Sequence, residues 1–527
     1  MEFKHINELD KAQEKGHPEL IRLGLGILFV VTIMIYAIFR GGDGGSLYIV
    51  AAAVIGAYMA INIGANDVAN NVGPAVGSHA LTLGGALVIA AIFEAAGAVV
   101  AGGEVVGTIR SGIIDPNSIP DKRTFLWLMM AALLAAALWL NAATAIGAPV
   151  STTHSIVGAV LGSGVAAAGM DIVAWGMMGQ IAASWVISPL LGGLVAAGLL
   201  FLIKRTITYQ TDKVQAASTV VPWLMAFMGW SFATYIMLKG ISKVIKVSTP
   251  MAMGVGLGIA VVVYLLVRPV LNRHAQTMRN DKEAVNDLFT WPLIFAAALL
   301  SFAHGSNDVA NAVGPLAAIV DMATSTTDTI AKNAPIPLWV MMIGALGLSV
   351  GLALYGPKLI RTVGSEITEL DKTRAYCIAM SATLTVIVAS ELGLPVSSTH
   401  IAVGAVFGVG FLREYLKNRY DRLVDEIKAH HPESDQTALD EFLQRFKTAS
   451  VADKGQMLED LKNRAKAAQD PAHFSKPERK NLKKVYKREL VKRSQLMRIA
   501  AAWVITVPAS ALLAALVFFI LRSTLGT

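Results

Sequence analysis

The sequence predicts an all-α integral membrane protein, a polytopic helical bundle of about 12 spans that contains two repeats and broken or re-entrant helices. Of its 527 residues, 54% are hydrophobic and only 16% are charged, and the mean hydropathy is +0.55. These values lie outside the range of ordinary soluble domains. Several apolar runs reach the length that a helix needs to cross a membrane, and two motifs occur twice in the same order.

The apolar runs favour helices over a barrel because alanine and glycine are abundant in them, as expected where helix backbones pack closely. The clearest runs span 21–39, 124–140, 181–203 and 511–521. A mixed-charge stretch precedes the first run, so residues 1–45 are predicted as an N-terminal segment with a retained helix. The single cysteine, Cys377, excludes disulfides and cysteine-based metal sites.

Residues 413–498 are too polar to cross a membrane and are predicted to form a helical insertion. Their excess of Lys and Arg places them in the cytoplasm by the positive-inside tendency. Nucleic-acid binding by the basic end is an alternative, but it lacks an aromatic platform and a recognised motif. A solvated basic surface beside anionic lipid is therefore expected, with no nucleic-acid partner.

The chain repeats itself. Residues 64–78 (GANDVANNVGPAVGS) return at 305–318, the stretch 147–162 (GAPVSTTHSIVGAVLG) returns at 393–408, and a weaker pair joins 184–189 to 501–508. The predicted division is a first repeat at 46–203, spacer helices at 204–285, and a second repeat at 286–412 and 499–527. Duplicated halves with Gly/Pro-interrupted apolar segments indicate a transporter whose site lies between the repeats near the membrane midplane.

The first motif provides candidate cation ligands in each half: Asn66 and Asp67, then Asn307 and Asp308. A carboxylate in lipid costs roughly 2.5–3.5 kcal/mol and needs partners. The following Gly-Pro is expected to break the helix and release carbonyl oxygens, and such oxygen-rich surroundings suit Na⁺ or a proton. A carboxylate that merely caps a broken helix is the alternative.

The second motif predicts two helix starts, with hydroxyls at Ser151, Thr152 and Thr153 and at Ser397, Ser398 and Thr399. Free backbone N–H groups and the positive end of the helix dipole form an anion site there. If the halves face each other, two such starts could hold one tetrahedral oxyanion. Ordinary capping is the alternative, and His154 and His400 could either orient these residues or bind an ion.

The stretches 41–109, 124–203, 283–331 and 375–412 contain no Lys or Arg. An oxyanion beside two carboxylates would be repelled unless mobile cations enter with it or the carboxylates take up protons, which makes symport the hypothesis. Glu94, also within an apolar run, is a candidate cation ligand or proton acceptor, with a backbone-bonded glutamate as the alternative. His79 and His304 have no counterpart in the other half and are interpreted as incidental.

These motifs resemble the inorganic phosphate transporters of the PiT type, which include animal sodium-phosphate symporters and a fungal phosphate permease. The resemblance spans the chain except its first 45 residues or so and the insertion. It implies inverted repeats, phosphate held at broken helices, coupling to Na⁺ or H⁺ without a further cofactor, and a homodimer. We expect the cell (inner) membrane as its location.

The resemblance places seven residues around the cations, with Na⁺ near Asp67 and Asp308: Asn66, Asp67, Asn70, Glu94, Asn307, Asp308 and Asn311. It places phosphate among two runs of three residues, Ser151 to Thr153 and Ser397 to Thr399. Asn70 and Asn311 belong to the Asn-Asp motifs, and we assign them as phosphate ligands as well.

One departure concerns the coupling ion. Animal sodium-coupled members have a glutamate in the helix before the second Ser-Thr-His element, where this chain has Ala379. This puts sodium coupling of the animal type in doubt. Glu391 could compensate, but it lies three turns further on.

Other classes of function fit less well. A hydrolase using Ser151, His154 and Asp67 needs one nucleophile, whereas every candidate is duplicated, so we expect no enzyme. An ATP-driven pump would need a GxxxxGK[ST] loop, which is missing. A phosphate-sensing receptor and a symporter of sulfate or another oxyanion remain open alternatives.

Overall fold

The described residues of the chain fold almost entirely into α-helices. The structure, a computed structural model, describes residues 2–40, 47–145, 150–325, 335–366, 370–417 and 493–525, with four single residues between 441 and 460. Within those ranges the helices are α1 (Glu2–Arg40), α2 (Leu47–Gly77), α3 (Leu83–Ala101), α4 (Gly103–Ser111), α5 (Lys122–Ala145), α6 (Thr152–Ala168), α7 (Trp175–Ile203), α8 (Lys213–Lys239), α9 (Thr249–Ala275), α10 (Lys282–Leu288), α11 (Thr290–Asp308), α12 (Ala310–Thr324), α13 (Leu338–Glu366), α14 (Lys372–Glu391), α15 (Ser398–Lys417) and α16 (Arg493–Leu525).

Eleven helices of the described ranges are long and apolar enough to cross a membrane, and α6 is a shorter apolar helix. The predicted all-α membrane architecture is therefore confirmed. The chain divides into one unit of residues 1–408 and 496–527 and a second of residues 409–495. Most of the predicted insertion, 413–498, lies outside the described residues, as do the parts of the predicted divisions at 41–46, 146–149 and 326–334.

The prediction that Gly-Pro breaks the signature helix is wrong in both halves. Helix α2 continues through Gly73 and Pro74 to Gly77. In the second half the interruption falls at Val309, between α11 and α12, and α12 continues through Pro315. Helix α2 packs against α5, α12 and α13, so the missing N–H of proline removes one bond without ending the helix.

Glycines bring the helices that carry the signatures close to their neighbours. A Cβ at Gly64 of α2 would overlap the carbonyl oxygen of Leu348 in α13. A Cβ at Gly305 of α11 would overlap the carbonyl oxygen of Glu94 in α3. Such contacts between backbones are typical of membrane bundles. They hold the polar residues of α2, α3 and α11 within reach of one another.

Candidate ion-binding site

The two Asn-Asp motifs and the two Ser-Thr-His motifs meet at one place. Asp67 lies in α2 and Asp308 ends α11, while the hydroxyl runs lie at the starts of α6 and α15. Both carboxylates and all six predicted hydroxyl residues are buried. Hydrogen bonds between the motifs bring these residues together in one region of the bundle.

The contacts cross between the halves. Thr399 of the second half donates to Asp67 Oδ1 at 2.9 Å, and Asn70 donates to the Thr399 hydroxyl at 2.9 Å. Asn311 of the second half lies 3.3 Å from Thr152 Oγ1 and 3.2 Å from Thr153 Oγ1 of the first. Each helix start is thus bound by the Asn-Asp motif of the opposite half.

Asp308 keeps its contact within its own half, where Ser398 donates to Oδ2 at 2.9 Å. Thr153 also crosses the halves, donating to the carbonyl of Val396 at 2.9 Å. The two helix starts consequently lie side by side, with their first-turn N–H groups and hydroxyls beside two carboxylates.

Ser151 and Ser397 cap their helices. Ser151 Oγ accepts from the His154 N–H at 3.1 Å, and Ser397 Oγ accepts from the His400 N–H at 3.2 Å. These are N-cap bonds, which satisfy one unpaired donor at each helix start. The threonines and Ser398, which lie inside the first turn, are the hydroxyls that remain for ligand contacts.

Asn66 and Asn307 tie the signature helices to the segments that precede the helix starts. Asn307 donates to Ser390 Oγ at 3.0 Å and to the Leu394 carbonyl at 3.2 Å, and it accepts from the Val396 N–H at 3.3 Å. The Asn66 amide lies 3.0 Å from Thr144 Oγ1, the counterpart of the Ser390 contact. With its amide turned, Asn66 would also donate to Asp67 and to the Val150 carbonyl.

His304 lies at the centre of the carboxylates, so its interpretation as incidental is wrong. Its Nε2 lies 2.8 Å from Asp308 Oδ2 and 3.8 Å from Asp67 Oδ2, and its Nδ1 lies 3.3 Å from Glu94 Oε1. The ring is fully buried. The missed signal was its spacing: His304 precedes Asp308 by four residues, which places both on one face of α11.

Glu94 belongs to the same cluster. Its Oε1 accepts from Asn71 Nδ2 at 2.7 Å, and its side chain is fully buried in α3. It reaches Asp67 and Asp308 only through the His304 ring. Asn71, one residue beyond the predicted Asn70, was also missed because the motif comparison gives it no counterpart: position 312 is alanine.

His154 and His400 pack at the helix starts. The His154 ring stacks on Trp185 at 3.7 Å between centroids and lies 4.4 Å from the His400 ring. Its Nδ1 lies 2.7 Å from Ser151 Oγ, so it also orients the capping hydroxyl. These contacts favour the orienting role over ion binding.

The cluster can hold a cation. Asp67, His304 and Asp308 each offer one ligand atom, and these atoms lie within 4.8 Å of one another. In the described ranges no ion pair joins Lys or Arg to Asp67, Glu94 or Asp308. The negative charge of the three carboxylates must therefore be balanced by mobile cations or by a proton on the imidazole.

Glu391 does not join the site. Its side chain is 41% exposed and lies 3.4 Å from Lys239 Nζ of α8. Ala379, the position of the family glutamate, is buried in α14. The cluster therefore contains Glu94 but no corresponding glutamate from α14.

Comparison with known proteins agrees with this architecture. Residues 63–514 match the model of the phosphate transporter family. A candidate phosphate permease of Helicobacter pylori is 51% identical over 524 residues, which cover 98% of both chains. One of Pyrococcus abyssi is 39% identical over 371 residues, covering 69% of this chain and 89% of the relative.

A solved structure shares the fold. It is entitled the sodium-dependent phosphate transporter, it is 29% identical, and it superposes with a TM-score of 0.73 over 90% of this chain and 99% of its own. With the family match, the full-length relatives and the helical membrane architecture in agreement, the chain belongs to the phosphate transporter family.

Proposed function

We propose that this protein moves inorganic phosphate across the membrane together with a cation, and that both bind where the two halves meet. The observation that carries the proposal is the pairing of carboxylates with hydroxyls of the helix starts, Thr399 with Asp67 and Ser398 with Asp308. The same hydroxyls donate hydrogen bonds to the carboxylates here and would donate to an anion when one binds. Anion and cation sites thus share residues, which is what coupling requires.

Phosphate would bind at the paired starts of α6 and α15. First-turn N–H groups and the helix dipoles favour an anion there, and Thr152, Thr153, Ser398 and Thr399 add hydroxyl donors. An anion that accepts from Thr399 and Ser398 would remove a donor from each carboxylate. Asp67 and Asp308 would then need a cation in place of those donors, so that phosphate binding favours cation binding.

Sodium is the cation we propose first. Asp67, Asp308 and nearby hydroxyls offer hard oxygen ligands, and the structural neighbour is entitled sodium-dependent. A proton is the second candidate, because His304 lies between three carboxylates and imidazole is the side chain that changes charge most readily near neutral pH.

Uptake of radiolabelled phosphate into proteoliposomes tests the proposal. A sodium gradient and, separately, a proton gradient would be imposed, with excess sulfate as competitor. We expect concentrative uptake under the sodium gradient that sulfate does not suppress. Uptake driven only by the proton gradient would instead favour proton coupling through His304. Suppression by sulfate would indicate a broader oxyanion transporter. The absence of driven uptake under both gradients would refute symport.

We also propose that the protein works as a homodimer in the cell (inner) membrane, with residues 413–498 on the cytoplasmic side. The basic composition of that segment supports the orientation. Light scattering of the purified protein and protease accessibility of the segment in sealed vesicles test these two points.

A further inference from the structure

A cavity of about 890 Å³ lies beside the site, within the unit that contains residues 1–408. Its walls come from α1, α2, α5 and Tyr355 of α13. Its lining includes the polar or charged residues Glu19, Arg22, Asn62, Asn141 and Thr144, while most of the other lining side chains are apolar, such as Val31 and Leu134.

A series of hydrogen-bonding side chains leads from this cavity to the carboxylates. Asn141 donates to Asn62 Oδ1 at 3.2 Å, and Thr144, one turn further along α5, lies 3.0 Å from the Asn66 amide. Asn66 adjoins Asp67. The Asn66–Thr144 contact therefore separates the cavity from the cation cluster by a single layer of side chains.

The polar part of the lining favours water. Asn141 is exposed although α5 is one of the candidate membrane spans, and polar side chains within such spans typically face the bundle interior or a water-filled cavity. The volume of the cavity would hold roughly 30 waters at about 30 Å³ each. Among the described residues, Glu19 and Arg22 are the charged residues of its lining.

The corresponding contact of the second half is buried. The contact of Asn307 with Ser390 repeats that of Asn66 with Thr144, but Ser390 is buried. Tyr235 of α8 covers this region, donating to Ser306 Oγ at 3.0 Å. Lys239, also of α8, lies 3.4 Å from both Glu104 and Glu391. Of the two equivalent contacts, the one with Thr144 borders the cavity, whereas the one with Ser390 is buried.

We propose that the cavity is an aqueous vestibule through which the coupling cation reaches Asp67 from one side of the membrane. A cation fits better than the anion because Glu19 and Arg22 offset each other and the first charge beyond the Asn66–Thr144 layer is the Asp67 carboxylate. The assignment of the coupling cation to this route rests on the proposed function, whereas the presence of water in the cavity does not.

Cysteine accessibility tests the vestibule. The native Cys377 is buried, so the parent chain serves as an unreactive background. Asn141→Cys and Ala145→Cys would place thiols in the cavity, and Leu194→Cys would place one on α7 at a position that is 72% exposed toward the membrane. The probes are water-soluble methanethiosulfonates, one cationic and one anionic, applied to the protein in lipid vesicles.

We expect both cavity thiols to react while Leu194→Cys does not, and the cationic reagent to react about tenfold faster than the anionic one, as focusing by a nearby carboxylate predicts. Cavity thiols that react no faster than Leu194→Cys would show that lipid fills the cavity and would overturn the vestibule. Equal or inverted reagent rates would overturn the cation assignment. Labelling needs no gradient, so failure of phosphate uptake with reactive cavity thiols would refute the proposed function alone.

Discussion

At the residue scale, the site depends on one imidazole surrounded by carboxylates. His304 contacts Asp308 on its own helix, Asp67 on α2 and Glu94 on α3. Buried carboxylates are costly in lipid unless they are paired. The ring therefore connects residues of both halves and links Glu94 to the aspartates.

We expect His304→Asn to lower the phosphate uptake rate about tenfold or more, because removing the ring that lies against Asp308 and Glu94 leaves buried carboxylates without a partner. Uptake into proteoliposomes measures the effect. His79→Asn is the matched control, since His79 is exposed and asparagine tolerates its positive φ of 60°. Unchanged uptake in the His304 variant would show that the ring only fills space.

Asp67→Asn and Asp308→Asn should each abolish concentrative uptake, because an amide keeps the shape of the carboxylate and loses the charge that holds a cation. Asp171→Asn, at an exposed position in the short helix Met170–Ile172, is the control. Full gradient-driven uptake in both variants would remove the carboxylates from the mechanism.

At the element scale, helix starts and close helix contacts give the site its geometry. Helices α6 and α15 begin at the site with a serine cap each. Helices α3 and α11 approach closely enough for Gly305 to lie against the backbone of Glu94. The helix starts direct their free N–H groups toward the site, and the close contact of α3 with α11 holds His304 beside Glu94.

Gly305→Ala should separate α11 from α3, because the added Cβ would overlap the Glu94 carbonyl. We expect loss of both transport and thermal stability in detergent. Gly254→Ala in α9 is the control, since nothing lies within 4 Å of a Cβ there. A Gly305 variant as stable and as active as that control would contradict the close contact.

Ser151→Ala should lower the free energy of unfolding by about 1 kcal/mol, the usual cost of losing an N-cap, with a smaller effect on phosphate affinity. Chemical denaturation in detergent and phosphate binding measure the two quantities. Ser163→Ala, a buried serine bonded within the same helix, is the control. Normal stability with lost phosphate affinity would make Ser151 a ligand instead of a cap.

At the scale of the whole molecule, the halves are interleaved. Thr399 and Asn311 of the second half bind Asp67, Thr152 and Thr153 of the first. Away from the site, Arg110 of α4 pairs with Asp321 of α12 at 2.5 Å, and the Arg110 side chain is buried. This ion pair also joins the first half to the second.

Arg110→Met should destabilise the protein by about 3 kcal/mol, because removal of one partner leaves a poorly solvated charge. The double variant Arg110→Met/Asp321→Leu should recover part of that loss, since neither charge is then unpaired. Denaturation in detergent measures both. Additive losses in the double variant would show that the pair does not couple the halves.

The sequence by itself determined the fold class, the family and most of the candidate residues. The length and composition of the apolar runs predict membrane helices, because backbone groups in lipid must be hydrogen-bonded within the protein. Duplicated polar motifs in apolar helices indicate function, because burying polar groups in lipid costs free energy. Asp67, Asp308 and the hydroxyl runs were found this way, as was Glu94 without a counterpart in the other half.

Only the tertiary structure decided which residues meet. Pairing of Asp67 with Thr399, 332 positions away, depends on how helices of different halves pack, and no local pattern encodes that. Gly73 and Pro74 predicted a break that surrounding helices suppress. His304 has no counterpart in the first half, so the comparison of the two motifs could not identify it as a site residue. Its role follows from the close approach of α3 and α11, where three carboxylates from three helices meet one ring.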